Sequence, residues 1–185
     1  MFMLAYFKET CIGGESMRKK IRVAGVVNDS IVDGPGFRFS VFVQGCPHGC
    51  PGCHNPQTHP FEGGVMMEPE EILERMKKNP LLKGITLSGG EPFCQAEALA
   101  YLARQVHAAG WDVVCYTGYT LETLLAMEDP HIRELLEEVD LLIDGPFILE
   151  KRDLTLLFRG SSNQRLILVK PTLQTGSITL MEEDV

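Results

Sequence analysis

The stretch Gly45-Cys46-Pro47-His48-Gly49-Cys50-Pro51-Gly52-Cys53-His54-Asn55 constrains this chain more than any other. Three of the six cysteines fall within eight residues, spaced C-x3-C-x2-C. The glycines and prolines between them supply tight turns that can bring three sulfurs towards one point. Three thiolates with one position unclaimed suit a four-iron cluster that leaves one iron open to an exogenous ligand. An open zinc site uses the same logic, with chemistry at the missing ligand. The competing reading is a structural zinc knuckle, with His48, His54 or His59 as fourth ligand. Zinc sites usually join two short-spaced ligand groups, and no second C-x2-C or H-x3-H group follows here.

Strands and helices alternate around this loop. Ile21 to Val27 and Phe39 to Val43 read as strands rich in β-branched and aromatic residues, and the second runs directly into the cysteines. Pro69 to Met76 opens like a helix, with proline and two glutamates in its first turn. Gly84 to Leu87 is a short strand ending at Ser88-Gly89-Gly90-Glu91-Pro92. Next comes a helix whose stripe is Leu99, Leu102, Ala103 and Val106, stopped by Gly110. Further strands are expected at Trp111–Thr117, Leu141–Gly145 and Arg165–Val169, with short helices around Leu121–Met127 and Ile132–Val139. This alternation predicts an α/β fold with a mostly parallel sheet, in too few units to close an eight-fold barrel. Sites in such folds lie at the carboxyl ends of the strands, where the cysteines fall.

At 185 residues the chain suits one domain. We divide it into an N-terminal extension at 1–20, a domain at 21–170 and a C-terminal tail at 171–185. The tail's acidic Glu182-Glu183-Asp184 suggests a solvated end. The start Met1 to Phe7 is too short, and its basic residues follow rather than precede it, for a secretory signal. Met17 is an alternative start. No apolar run approaches membrane-spanning length, and Cys11, Cys94 and Cys115 are scattered like thiols of a reducing compartment. We expect a cytoplasmic protein. A net charge of −8 argues against a nucleic-acid partner.

The cysteine loop followed by Ser88-Gly89-Gly90-Glu91-Pro92 resembles the radical S-adenosylmethionine (SAM) superfamily. Asp33-Gly34-Pro35-Gly36-Phe37-Arg38, leading into Phe42-Val43-Gln44-Gly45-Cys46, is similar to the glycyl-radical-enzyme activases. Phe158-Arg159-Gly160-Ser161-Ser162-Asn163-Gln164-Arg165 is similar to activators of the anaerobic ribonucleoside-triphosphate reductase. The resemblance implies a partial (β/α) barrel of the radical SAM type and a [4Fe–4S] cluster on Cys46, Cys50 and Cys53. It places SAM against Gly52, Cys53 and His54 and against Gly89, Gly90 and Glu91. Backbone groups of the two glycines and the Glu91 carboxylate would hold the SAM amine, which needs acceptor oxygens.

The implied activity is reductive SAM cleavage to a 5′-deoxyadenosyl radical, which takes hydrogen from a glycine loop of the partner reductase. A flavodoxin or ferredoxin would donate the electron. No side chain then acts as a general base. Activases of other glycyl-radical enzymes, such as pyruvate formate-lyase, are the nearest rival. Small radical SAM enzymes such as deazapurine synthases are a further one. A non-catalytic zinc-binding module is the rival from another class. Arg38, Thr117, Asp144 and the segment 159–164 stay open between site and scaffold.

Overall fold

The computed structural model describes residues 20–182, so readings that fall on residues 1–19, Cys11 and Met17 among them, and on Glu183 and Asp184 lie outside the described residues. Seven strands form one sheet in the order β3-β1-β2-β4-β5-β6-β7. They are β1 (Ile21–Ser30), β2 (Arg38–Val43), β3 (Val65–Met67), β4 (Gly84–Gly89), β5 (Asp112–Tyr116), β6 (Leu141–Asp144) and β7 (Arg165–Leu168). The helices are α1 (Pro69–Met76), α2 (Ala96–Ala108), α3 (Leu121–Leu125), α4 (Pro130–Glu138) and α5 (Val169–Thr175).

The sheet is mixed, which corrects the mostly parallel expectation. β2, β4, β5 and β6 run parallel, whereas β1 joins β2 and β3, and β7 joins β6, antiparallel. Neither flanking connection carries an α-helix to cross over the sheet. The β1–β2 link is a short glycine turn, and the link from β6 to β7 is a 20-residue loop (145–164). A parallel crossover needs a helix-sized connection in between.

Alternation along the strands sorts the two faces. Phe39, Val41, Ile85, Leu87, Val113 and Cys115 are buried in the main core beneath the helices. Leu99, Leu102, Ala103 and Val106, the stripe expected for α2, are each fully buried there. The opposite face carries Phe42, Ser88 and Tyr116, which line a cavity of about 780 Å³. The domain boundary drawn after residue 170 falls inside α5, whose Val169 and Thr172 are buried. Beyond it, Leu180 bridges back to Ile167.

Candidate functional site

β2 delivers the chain into the cysteine loop at the carboxyl end of the parallel strands, beside the last residue of β4, since Val43 pairs with Gly89. Main-chain hydrogen bonds fasten both flanks of the loop's start. Gly45 N–H donates to Thr58 O (2.8 Å) and Cys46 N–H to His59 O (3.0 Å). From the next strand, Gly90 N–H donates to Val43 O and Glu91 N–H to Gly45 O, both at 2.8 Å. A Cβ at position 90 would stand 2.3 Å from Gly45 O, so only glycine allows this approach.

Cys46, Cys50 and Cys53 all line the cavity, together with His54, Gly89 and Gly90. Gly52 does not; it backs onto Leu149 and Phe147. Burial raises the Cys46 thiol to about 11, opposed by the main-chain N–H groups of His48 and Gly49. Burial also raises Cys50, opposed by the N–H of Phe147. Asn55 N–H donates to Cys53 Sγ at 3.4 Å. Main-chain donors therefore face all three sulfurs, the surroundings that stabilise metal-bound sulfur once a centre displaces the protons. Among the described residues, no three metal-ligating side chains gather closely enough to hold a single ion. The three thiols with their main-chain donors fit an iron–sulfur centre.

Glu91 is fully buried. Its Oε1 accepts from Phe93 N–H (3.0 Å) and Thr117 Oγ1 (3.0 Å), its Oε2 from Gly118 N–H (2.9 Å), and Oε2 pairs with His48 Nε2 (2.7 Å). A carboxylate has about four lone-pair directions, and these partners occupy them. Three pieces of chain are tied by these bonds to the carboxylate that the sequence reading set against a ligand amine. They are the cysteine loop through His48, the turn after β4 and the end of β5. Position 118 must be glycine for this, since a Cβ there would lie 2.4 Å from the His48 ring. Tyr119 closes on the same ring edge-on, with centroids 4.4 Å apart.

The open candidates are now placed. Thr117 lines the cavity and bonds Glu91. Arg159, Gly160 and Gln164 line it too, which puts these three residues of the segment 159–164 at the cavity wall. Asp144 is scaffold: it accepts from Leu121 N–H (2.8 Å) and Arg165 Nε (2.9 Å). Arg38 is completely buried at the far end of β2, paired with Asp112 and donating to Ile85 O (2.5 Å) and Thr86 Oγ1 (3.2 Å). Thr86 Oγ1 donates onward to Asp33 O (2.7 Å), so Arg38 props the turn at the cavity's edge rather than meeting a ligand.

Sequence reasoning missed three contributors. Tyr116 lines the cavity and donates from Oη to Phe158 O (2.8 Å). Phe147 lies 5.2 Å from the His54 ring. His48, weighed only as a zinc ligand, is the link to Glu91. Strand phase could have found Tyr116, which shares a face with Asp112 and Val114; nothing local marks Phe147.

Comparison with known proteins agrees with the loop. The family model of the 4Fe-4S single cluster domain matches residues 32–167. Over 142 residues the chain is 36% identical to the anaerobic ribonucleoside-triphosphate reductase-activating protein of Haemophilus influenzae, covering 72% of this chain and 89% of that one. The protein of the same name from Escherichia coli is 35% identical, with 72% and 90% covered. That of enterobacteria phage T4 is 36% identical, with 73% and 86% covered. Among solved structures, QueE from Escherichia coli gives a partial likeness, with 15% identity, 59% of each chain and a TM-score of 0.46.

Proposed function

Because the chain belongs to the family of anaerobic ribonucleoside-triphosphate reductase-activating proteins, we propose that it is the radical SAM enzyme that installs a glycyl radical on that reductase. The single observation behind this reading is that Cys46, Cys50 and Cys53 share one cavity with Gly89 and Gly90. We assign the three cysteines as ligands of a [4Fe–4S] cluster. When bound, that cluster supplies one electron to the SAM sulfonium, so that methionine leaves and the deoxyadenosyl group takes a hydrogen atom from a glycine Cα of the reductase.

The chain's own part is positioning and shelter. Main-chain carbonyls of the Gly89–Gly90 turn take the SAM amine, and the chain at Cys53 and His54 borders the nucleoside, with Gly52 behind it giving the turn its shape. Glu91 serves this turn from behind, by holding His48 and Thr117. The four parallel strands curve as part of a (β/α) barrel whose open side is the cavity. The reductant is a one-electron carrier of the flavodoxin or ferredoxin class. The setting is cytoplasmic, in keeping with described cysteines that form no disulfide.

The test is anaerobic reconstitution with iron and sulfide, reduction with SAM, and assay of 5′-deoxyadenosine and of the radical by electron paramagnetic resonance. A glycyl doublet that appears only with the reductase is the expected result. A colourless protein with stoichiometric zinc and no SAM cleavage would overturn the reading.

A further inference from the structure

Among the described residues, twelve large apolar side chains are exposed, and five of them line the cavity that holds the cysteines: Val27, Ile31, Val32, Leu154 and Leu157. Ile31 and Val32 are 66% and 69% exposed and follow directly on β1; Leu154, at 77%, stands in the loop between β6 and β7. Turns are normally polar, so apolar side chains concentrated on two loops at one cavity mark a surface awaiting a partner.

Both loops are held in place. On the first, Val32 N–H donates to Ser30 Oγ (3.3 Å), and Asp33 accepts from Ser40 Oγ at Oδ2 (2.8 Å) and from Thr86 Oγ1 at its carbonyl (2.7 Å). On the second, Asp153 N–H donates to Gly160 O (3.2 Å), Arg152 bridges Ser161, and Tyr116 Oη holds the Phe158 carbonyl (2.8 Å). Phe158 has φ of 58°, alone among the described non-glycine residues in the left-handed region. A bulky residue keeps such a backbone only where its surroundings impose it. The second loop is thus bent and fastened with its leucines outward. Pre-formed lips lose little ordering entropy when a partner docks.

We propose that these two lips are the docking surface for the reductase segment that carries the reacting glycine, an apolar, extended stretch of main chain laid between Ile31–Val32 and Leu154–Leu157. This rests on the activase reading above. That reading supplies the occupant, because the relatives act on another protein, and the glycine must reach the cavity that the cysteines line. A free small substrate would be served by the cysteine end of the cavity and would leave the exposed leucines unused.

The test compares Val32→Asp and Leu154→Asp with Leu81→Asp, a residue 70% exposed but outside the cavity lining. Each reconstituted variant is titrated against immobilised reductase and assayed for the glycyl radical, with iron content and absorption near 400 nm checked first. The two lip variants raise the half-saturating concentration about tenfold or more, as buried interface positions do. Leu81→Asp stays at the parent value. Lip variants that match the parent would overturn the proposal. So would a Leu81→Asp loss of equal size, or lip variants that turn a dimer of this chain into a monomer, since the lips would then meet a second copy. A parent that binds reductase through the lips yet forms no radical would sink the activase reading and leave the docking surface standing.

Discussion

Arg38 and Glu91 are both completely enclosed by the fold, at opposite ends of the parallel strands. Each sits in a motif that pointed to a ligand, and each turns inward. Arg38 bonds strand to strand, reaching Asp112 on β5 and Thr86 and Ile85 on β4. Glu91 bonds loops, reaching His48, Gly118 and Phe93. The first charge fixes the sheet; the second fixes the shape of the cavity's cysteine end. The lesson is that a buried charge beside a site can act on the ligand through the chain segments it holds.

Removing the sheet's charge gives the largest effect. Arg38→Ala strands Ile85 O, empties a fully buried site and leaves the part-exposed Asp112 without its partner, and lowers stability by about 3 kcal/mol in urea titration. The unreconstituted variant's cysteines still react with a thiol reagent at the parent rate. An accelerated rate would erase the division of labour between the two ends.

Glu91→Gln keeps the shape and loses the charged acceptor, at about 1.5–3 kcal/mol. Cys46 and Cys50 then react faster, because His48 no longer anchors the loop between them. If thiol reactivity stays at the parent value while SAM dissociation worsens, Glu91 is a direct ligand of the SAM amine instead. His48→Ala costs about 1 kcal/mol, and the double variant with Glu91→Gln falls short of additivity by about 0.5–1.5 kcal/mol. His48→Gln, which can still donate, recovers part of the thiol protection.

The smallest effect belongs to an exposed pair. Hydrogen bonds from Arg165 hold the Glu122 carboxyl down at about 2, below the usual carboxylate range near 4.3. That contribution is present above the usual range and lost as the pH falls from about 4 to about 2. Glu122 is 58% exposed at its side chain, so Glu122→Gln lowers stability by no more than about 1 kcal/mol. The melting-temperature gap between parent and variant narrows between pH 6 and pH 3.

Much of this was legible beforehand where local signals dominate. The helix at Pro69–Met76 keeps both of its expected ends, because proline and two glutamates define its start. The strands at Phe39, Gly84 and Leu141 differ by a residue or two at their ends. The three-residue β3 was missed, since Val65-Met66-Met67 is too short for any period to show. The boundary drawn after residue 170 cuts α5 because Arg165–Val169 read as one strand; the buried Thr172 and the Leu180 bridge to Ile167 are contacts no local pattern marks. In the site, the cysteines and glycines announce themselves by spacing. Arg38 could not, because whether its side chain meets a ligand or Asp112 depends on a register 74 residues away. Glu91 was placed at the correct turn, but its orientation is set by His48, Thr117 and Gly118, which come together only in three dimensions.

The four main-chain bonds around Gly45 and Cys46 bear on the order of assembly. Thr58, His59, Gly90 and Glu91 hold that start of the loop using only protein atoms. A zinc finger gains its fold from its metal; here the entry to the cysteine loop is pinned by bonds between polypeptide atoms alone, so replacing the thiols by alanine would leave that entry in place.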